Sequence, residues 1–208
     1  MEHYNSTKAA EDYHRVFTKD DDNPELKRKA IQRYVKFTSK LKQGGHVLDA
    51  GCGTGIFVPY FVKNGFTVTG VDISSSMIEL ASENNPLAEF KVMDIRLLNF
   101  PSNYFDGLWN VATLLHLGES DVKLALQESR RVLKDNGTLY IATRTKDTSI
   151  SIIEESTEGG GIMVNYYSVS KLDGLLKASG FETVEIKVEP DDYSRPFDYV
   201  FFLVKLST

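Results

Sequence analysis

Short apolar segments alternate with amphipathic ones along most of this chain. The apolar runs predict seven strands, at about 46–50, 67–72, 88–94, 105–113, 137–145, 182–189 and 199–206. Apolar residues at helical spacing predict helices between them, near 56–64, 75–84, 121–134 and 168–179. Strands that alternate with helices form parallel sheets covered on both faces, so we expect an α/β fold. No helical pattern separates the last two strands, which should therefore pair antiparallel.

The segment at 121–134 shows the helical spacing most clearly. Val122, Leu126, Ser129 and Leu133 recur at intervals that place them on one face. The residues that follow, 134–137, read Lys-Asp-Asn-Gly, a composition typical of the turn that ends a helix. We therefore predict that this helix ends in a glycine-containing turn before the next strand begins.

Residues 1–44 precede the alternating region and predict a helical segment of their own. After Pro24, apolar residues recur on one face, at Leu26, Ala30, Tyr34, Phe37 and Leu41. The other faces carry seven Lys or Arg residues against the single Glu25, a local charge of +6, which raises the hypothesis of nucleic-acid binding. The total charge is −5, so the rest of the chain carries −11 and would repel a polyanion. We favour a solvated helix packed on the sheet and expect no nucleic-acid partner.

Composition fits one globular domain over residues 1–208, with the helical segment followed by an α/β core at 45–208. Hydrophobic residues make up 41% and charged residues 25% of the chain, which is ordinary for such a domain. No apolar run is long enough to span a bilayer, and the first residues lack the pattern of a signal peptide. We expect a cytoplasmic monomer or homodimer. The single cysteine, Cys52, excludes an internal disulfide and a multi-cysteine metal site, and we predict no bound metal.

The segment Val47–Gly55 is the most informative in the chain. It predicts a buried strand followed by three alternating glycines, Gly51, Gly53 and Gly55, at the start of a helix. Glycine permits positive φ and has no Cβ, so backbone N–H groups there can approach a ligand closely. A dinucleotide site would need a glycine at Ile56, which weakens the hypothesis of a nicotinamide oxidoreductase. Asp49 before the glycines also favours a cationic amine over a pyrophosphate, which points to an amino acid attached to a nucleoside.

This segment, Val-Leu-Asp-Ala-Gly-Cys-Gly-Thr-Gly, resembles motif I of the class I S-adenosylmethionine-dependent methyltransferases. Two further segments match that family in order: Thr67–Asp72 followed by Ile73–Met77, and Ala88–Asp94, each strand ending in an acid. The resemblance covers roughly residues 45 to 206. It implies a Rossmann-like three-layer sandwich with a seven-stranded, mostly parallel sheet whose last strand is antiparallel. The cofactor would be S-adenosylmethionine and the product S-adenosylhomocysteine.

By position, the resemblance implies roles for individual residues. Asp72 would accept hydrogen bonds from both ribose hydroxyls, and Asp94 and the N–H of Ile95 would bind the adenine. Asp49 would face the ammonium group through water or backbone. The predicted cofactor residues are Asp49, Gly51, Cys52, Gly53, Gly55, Asp72, Ile73, Met77, Asp94, Ile95 and Asn110. The alternative interpretation of each aspartate, taken singly, is a helix cap at the end of a strand.

The acceptor side is predicted by the segment Phe105–Leu117, which resembles the small-molecule and tellurite-resistance-like members of the family. It contains neither the Asn-Pro-Pro-Tyr type of motif of base-amino methylases nor the Pro-Cys of cytosine-C5 methylases, so methylation of DNA bases is not expected. His116 is the predicted general base, with Glu119 as a second possibility, and a structural histidine is the alternative. We predict methyl transfer to a small molecule. The alternative is a non-catalytic protein that binds S-adenosylmethionine as a partner or sensor.

Three other segments have predicted positions near the site. The connection from Thr145 to Tyr167 is a candidate lid, because its centre, 154–161, is acidic and glycine-rich; a solvated loop is the alternative. Arg144 and Lys146 beside it carry the opposite charge, so charge alone does not predict the acceptor. Arg195 is a further candidate for the pocket. The segment with Tyr4 and Tyr13 corresponds to one that folds over the cofactor in many relatives.

Overall fold

The computed structural model describes residues 6–18, 24–155, 161–191 and 195–207. Within them the chain forms six α-helices and nine strands. The helices are α1 (Thr7–Thr18), α2 (Pro24–Thr38), α3 (Val58–Lys63), α4 (Ser75–Asn84), α5 (Glu119–Val132) and α6 (Val169–Ala178). The strands are β1 (His46–Ala50), β2 (Thr67–Asp72), β3 (Glu89–Val92), β4 (Phe105–Val111), β5 (Leu133–Thr145), β6 (Ile150–Glu155), β7 (Gly161–Tyr166), β8 (Phe181–Pro190) and β9 (Asp198–Leu206). A short 3₁₀ turn, Leu114–His116, follows β4.

Seven of these strands form one sheet, in the order β3-β2-β1-β4-β5-β9-β8. Strands β1 to β5 run parallel, and β9 lies antiparallel to both of its neighbours, β5 and β8. The predicted seven-stranded α/β sheet with an antiparallel last strand is therefore confirmed. The order reverses between β1 and β4, which places a crevice at the carboxyl ends of these strands.

Helices cover both faces of the sheet, each over its own apolar layer. On one face α5 and α6 pack on alternate residues of the central strands, among them Leu48, Leu108 and Phe202. On the other face α2 and α3 contribute aromatic side chains to a second layer. Trp109 lies at its centre, stacked between Tyr34 and Tyr140 with ring centroids 5.1 and 4.2 Å away. This arrangement is the predicted three-layer sandwich.

Helix α2 packs on the sheet as predicted, and part of its positive charge is neutralised there. Arg33 forms an ion pair with Glu189 of β8 at 2.5 Å, and Lys36 contacts Glu185 of the same strand. The Arg33 guanidinium also lies 4.1 Å from the centroid of the Phe201 ring. Arg33 and Lys36 therefore form contacts within the molecule, and these contacts are a structural reason for the basic face of the helix.

Three predictions of local structure were wrong or incomplete. Helix α5 ends at Val132, and Leu133 already lies in β5, so the predicted helix-ending turn at 134–137 is absent. Leu133 is fully buried and pairs with Phe105, and this tertiary contact outweighs the local turn composition. The connection between Thr145 and Tyr167, predicted as a loop, contains an antiparallel hairpin of β6 and β7. Helix α1 was not predicted from the apolar pattern.

Among the described residues, none of the helices combines the length and the apolar character needed to cross a bilayer.

Replacing Phe37 with alanine should test how strongly α2 is anchored to the sheet. Phe37 is fully buried and contacts Phe61, Trp109 and Tyr140. We expect the free energy of unfolding in urea to fall by about 3–5 kcal/mol, because the substitution removes a large buried ring. The control is Val35→Ala on the same helix, where the side chain is 52% exposed and the loss should stay below about 0.5 kcal/mol. Equal losses for the two variants would show that α2 is not anchored through Phe37.

Candidate functional site

The glycine turn between β1 and α3 adopts a backbone that the sequence predicted. Gly51, Gly53 and Gly55 all have positive φ, at 80°, 52° and 72°. A Cβ at Gly51 would lie 2.2 Å from the Thr113 hydroxyl oxygen, so this position has no room for another side chain. The N–H groups of Gly51 and Cys52 both donate to the carbonyl oxygen of Val71 on the adjacent strand, at 2.8 and 2.9 Å. The turn is therefore fixed to β2 by its own backbone.

A cavity of about 350 Å³ opens beside this turn, at the carboxyl ends of the parallel strands. Eight of the twelve predicted site residues line it: Gly51, Gly53, Asp72, Ile73, Met77, Asp94, Ile95 and His116. The other four are buried in the surrounding structure and do not line it: Asp49, Cys52, Gly55 and Asn110. The structure thus brings together residues that are 65 positions apart in the chain, from Gly51 to His116.

The Asp72 carboxylate is held in place at the end of β2. One of its oxygens accepts a hydrogen bond from the N–H of Gly53 and the other from the N–H of Ser74, each at 3.0 Å. Partial burial raises the pKa of Asp72. Each carboxylate oxygen can accept more than one hydrogen bond, so Asp72 keeps capacity for hydroxyl groups in the cavity.

Asp94 is fixed by a residue that the sequence analysis did not single out, Arg96. The guanidinium of Arg96 binds the Asp94 carboxylate at 2.5 Å and also reaches Asp121 of α5 at 2.8 Å. These hydrogen bonds from Arg96 lower the pKa of Asp94, so the carboxyl stays ionised. An arginine two positions after Asp94 was the available sequence signal, but its partner on α5 is distant in the chain.

Asp49 lies beneath the glycine turn, between Gly70 of β2 and Trp109 of β4. Its side chain is 1% exposed, and its Oδ2 has no hydrogen-bond partner among the described residues. Burial and the nearby Asp72 carboxylate raise the pKa of Asp49 to about 8. A buried carboxyl without a full set of partners is costly, and positive charge brought to this site would offset that cost.

Cys52, Gly55 and Asn110 support the turn from behind. The Asn110 amide donates to the Ala50 carbonyl oxygen at 2.8 Å, and the carbonyl of Gly55 accepts from Asn85 at 3.2 Å. Burial raises the pKa of the Cys52 thiol well above its ordinary value, so the thiol stays protonated and is not a nucleophile. Their observed contacts are structural.

Helix α1 lies over the glycine turn. Tyr13 lines the cavity, and the ring comes within 3.3 Å of where a Cβ at Gly53 would stand. His14 Nδ1 and the Thr54 hydroxyl are hydrogen-bonded at 2.9 Å. The N-terminal segment therefore contacts the turn as the resemblance implied, while Tyr4 falls outside the described residues.

His116 also lines the cavity, from the 3₁₀ turn after β4. Burial and the positive charge of Arg144 lower the pKa of His116 to about 4, so its imidazole is neutral at physiological pH. The second candidate, Glu119, binds Lys171 at 2.7 Å and Lys123 at 2.9 Å. These bonds lower the pKa of Glu119 to about 2, and it does not line the cavity. Of the two candidates, only His116 faces the space where an acceptor would bind.

The β6–β7 hairpin forms another part of the cavity wall and contacts the 3₁₀ turn that carries His116. Gly161, Ile162 and Met163 of β7 line it, and the Asn165 amide donates to the Leu115 carbonyl oxygen of the 3₁₀ turn at 3.2 Å. The predicted lid is thus in part an ordered hairpin, and its tip, 156–160, falls outside the described residues. Arg195 binds Asp191 at 2.6 Å and does not line the cavity. The described residues contain no group of three or more His, Cys, Asp or Glu side chains placed to hold a metal ion.

Comparison with known proteins agrees with this geometry. Residues 48–141, which include the glycine turn, Asp72, Asp94 and His116, match the family model described as "Methyltransferase domain". This segment of the chain is therefore similar to a methyltransferase domain, which supports the resemblance to class I S-adenosylmethionine-dependent methyltransferases. The tellurite-resistance-like grouping stays a prediction.

Two curated relatives and one solved structure illustrate the similarity of this chain to methyltransferases. A malonyl-[acyl-carrier protein] O-methyltransferase from Erwinia pyrifoliae is 34% identical over 122 residues, 59% of this chain and 45% of the relative. A 2-methyl-6-phytyl-1,4-hydroquinone methyltransferase from Synechocystis is 33% identical over 133 residues, which are 58% of this chain and 41% of the relative. The chain therefore spans less than half the length of these relatives. The 1,6-didemethyltoxoflavin-N1-methyltransferase of Burkholderia thailandensis, with S-adenosylhomocysteine bound, has the same fold: TM-score 0.71, 20% identity, 97% of this chain and 89% of that one.

The residues of the site fit the cofactor of this family. The glycine turn offers backbone without side chains, and Asp72 keeps free acceptor capacity for the ribose. Asp49, the buried carboxyl with an unpartnered oxygen, suits an ammonium group nearby. Ile73 and Met77 supply apolar surface on the cavity wall where a base would lie.

Replacing Asp49 with asparagine should stabilise the cofactor-free protein. The folded-state pKa of about 8 lies above the ordinary value of 3.8, so the folded protein keeps a proton that the unfolded chain releases. Stability should therefore fall as pH rises from about 4 to about 8. In Asp49→Asn this dependence should flatten, and urea unfolding at pH 7 should show a gain of about 1–4 kcal/mol.

The matched control is Asp106→Asn, because the Asp106 carboxylate has partners, the His46 N–H and Lys134, both at 2.8 Å. This variant should gain no stability. An Asp49→Asn protein that is less stable than the parent at pH 7 would contradict a neutral, unpaired Asp49.

Proposed function

We propose that this protein transfers a methyl group from S-adenosylmethionine to a small-molecule acceptor. The observation that supports it most directly is that one cavity is lined both by Asp72 and the glycine turn and by His116 and the β6–β7 hairpin. Asp72 would bind the ribose, and Asp94 and the N–H of Ile95 would bind the adenine. Asp49 would balance the ammonium charge from beneath the turn. Cys52, Gly55 and Asn110 would act by holding the turn in shape.

The proposed reaction requires mainly orientation. The bound cofactor supplies a methyl group on a sulfonium, which is already activated for in-line displacement. The protein would align the two reactants between the glycine turn and the hairpin, and such positioning can supply about 7–11 kcal/mol. Tyr13 on α1 and Ile162 on β7 would exclude water from opposite sides of the cavity.

His116 would serve as the base when the acceptor arrives protonated. Its imidazole is neutral at physiological pH, and a neutral imidazole can take up the proton of a hydroxyl group. An acceptor that attacks through an existing lone pair, without losing a proton first, would not need it. His116 would then only form part of the wall.

A small acceptor is supported by the lining of the cavity, to which α1 contributes Tyr13 and the hairpin contributes Gly161, Ile162 and Met163. The Synechocystis relative is named for a hydroquinone, and the Burkholderia structure holds 1,6-didemethyltoxoflavin, both small molecules. Action in the cytoplasm, as a monomer or homodimer and without a nucleic-acid partner, remains our expectation from the sequence.

Calorimetric titration with S-adenosylmethionine, S-adenosylhomocysteine and NAD should test the cofactor assignment. We expect micromolar binding of the first two and none of NAD. Asp72→Ala and Asp72→Asn should each weaken binding by about a hundredfold, because two charge-assisted hydrogen bonds to the ribose are lost or weakened.

Asp106→Asn is the control for these variants, because Asp106 also accepts a backbone N–H but lies at the opposite end of the sheet. It should bind the cofactor as the parent does. Retained affinity in a folded Asp72→Ala protein would refute the proposed site, and binding of NAD alone would favour an oxidoreductase. Cofactor binding without turnover of any acceptor would favour the non-catalytic alternative.

The role of His116 should be visible in the pH dependence of kcat/KM. Because the His116 pKa is about 4, the free-base form predominates from pH 5 to 8, and a reaction that uses it should show no loss near pH 6.5. His116→Ala should lower kcat for a hydroxyl acceptor by about 10²–10⁴-fold and leave the affinity for S-adenosylhomocysteine unchanged. Unchanged turnover in His116→Ala would remove His116 from the mechanism.

A further inference from the structure

The part of the cavity that His116 and the hairpin line, here called the acceptor end, is bordered mainly by apolar side chains. Ala112 and Leu117 border it on the side of β4, and Ile162 and Met163 border it on the side of the hairpin. His116 lies between them and is neutral at physiological pH. The charged side chains among the described residues that line the whole cavity are Asp72 and Asp94, both assigned above to the cofactor.

Charged side chains do lie close by, but they are bound to one another behind the wall. Arg144 at the end of β5 forms an ion pair with Glu154 of β6 at 2.8 Å, with side chains only 21% and 31% exposed. Tyr166 of β7 donates its hydroxyl hydrogen to the same Glu154 carboxylate. The Arg144 guanidinium also lies 4.6 Å from the centroid of the Phe197 ring. The charges of Arg144 and Glu154 therefore neutralise each other, and neither side chain lines the cavity.

The hairpin has two differently exposed sides. Ile162, Ile152 and Val164 belong to a small apolar cluster with Leu115 of the 3₁₀ turn. Ile153 on the same hairpin is 71% exposed and does not line the cavity. Ile162 thus belongs both to this apolar cluster and to the cavity wall.

We propose that the β6–β7 hairpin restricts this site to uncharged, apolar acceptors, with Ile162 as a specificity-determining residue. This inference rests on the proposed function and specifies its substrate class. A carboxylate or ammonium group on the acceptor would have to leave water for an apolar wall without a partner, which is strongly unfavourable. An apolar group of the same size would be stabilised by burial against Ile162 and Leu117.

Three phenols that differ in charge can test the proposal: 4-ethylphenol, which is neutral, 4-hydroxyphenylacetate, an anion, and tyramine, a cation. Binding of each is measured by calorimetry and ligand-observed NMR on the full chain saturated with S-adenosylhomocysteine. We expect the neutral phenol to bind at least about tenfold more tightly than either charged one.

Ile162→Lys should change the preference, because it places a cation in the wall. We expect weaker binding of 4-ethylphenol and roughly fivefold tighter binding of 4-hydroxyphenylacetate. Ile150→Lys adds the same charge at the other end of the same hairpin, where the side chain is 48% exposed and does not line the cavity, and should alter neither affinity. Ile162→Ala, which adds no charge, should weaken the neutral phenol without improving the anion.

The outcomes separate the two proposals. If S-adenosylhomocysteine does not bind, the proposed function is refuted and the acceptor inference with it. If it binds, but a charged phenol binds as tightly as 4-ethylphenol, or 4-ethylphenol does not bind at all, only the inference is refuted. An Ile162→Lys protein with normal cofactor affinity and unchanged phenol preference would also refute the role of Ile162.

Discussion

The structure depends on one close approach, where the backbone of the glycine turn meets β2 and the end of β4. Gly51 has a positive φ and touches Thr113 so closely that a Cβ would overlap the Thr113 side chain. Its N–H and that of Cys52 share the Val71 carbonyl oxygen, while the Asn110 side chain binds the carbonyl of Ala50. These contacts tie three neighbouring strands together at their carboxyl ends. They also fix the floor of the cavity, so the packing of the sheet and the shape of the site are set by the same few backbone atoms.

The electrostatics of the site follow from that packing. Asp49 is buried beneath this turn and near the Asp72 carboxylate, which together raise its pKa to about 8, and its Oδ2 has no partner among the described residues. Asp72 is less buried and receives two backbone N–H groups, and Asp94 is bound by Arg96. The three acids, similar in sequence, thus differ in environment. The fold retains an unfavourable buried carboxyl at the point where the proposed ligand would bring a positive charge, which is typical of binding sites that sacrifice stability for function.

The parts of the structure that were predictable are those whose physical cause lies within a few residues. A left-handed turn needs glycine, and a buried strand needs an apolar run, so β1, the turn and the acids that end β2 and β3 could be found from the sequence. The β6–β7 hairpin was missed because β6 mixes polar and apolar residues. Its stability also comes from contacts distant in the chain, such as Asn165 with Leu115. The end of α5 was misplaced for the same reason: local composition indicated a turn, and pairing of Leu133 with Phe105 prevented it. Arg96 was missed because its second partner, Asp121, lies on another element.

This division between local and distant causes also separates the two halves of the site. The predicted cofactor residues and His116 lie within residues 48–141, the segment that matches the family model. Ile162 and Met163, which line the acceptor end, lie beyond it and reach the cavity only because the hairpin folds back onto the 3₁₀ turn. A tight backbone turn tolerates few substitutions, whereas a hairpin that contacts the ligand through side chains can change its wall without disturbing the sheet. The chemistry of the acceptor is therefore encoded in the part of the chain where short motifs are least informative, and it has to be argued from the contacts of the folded hairpin.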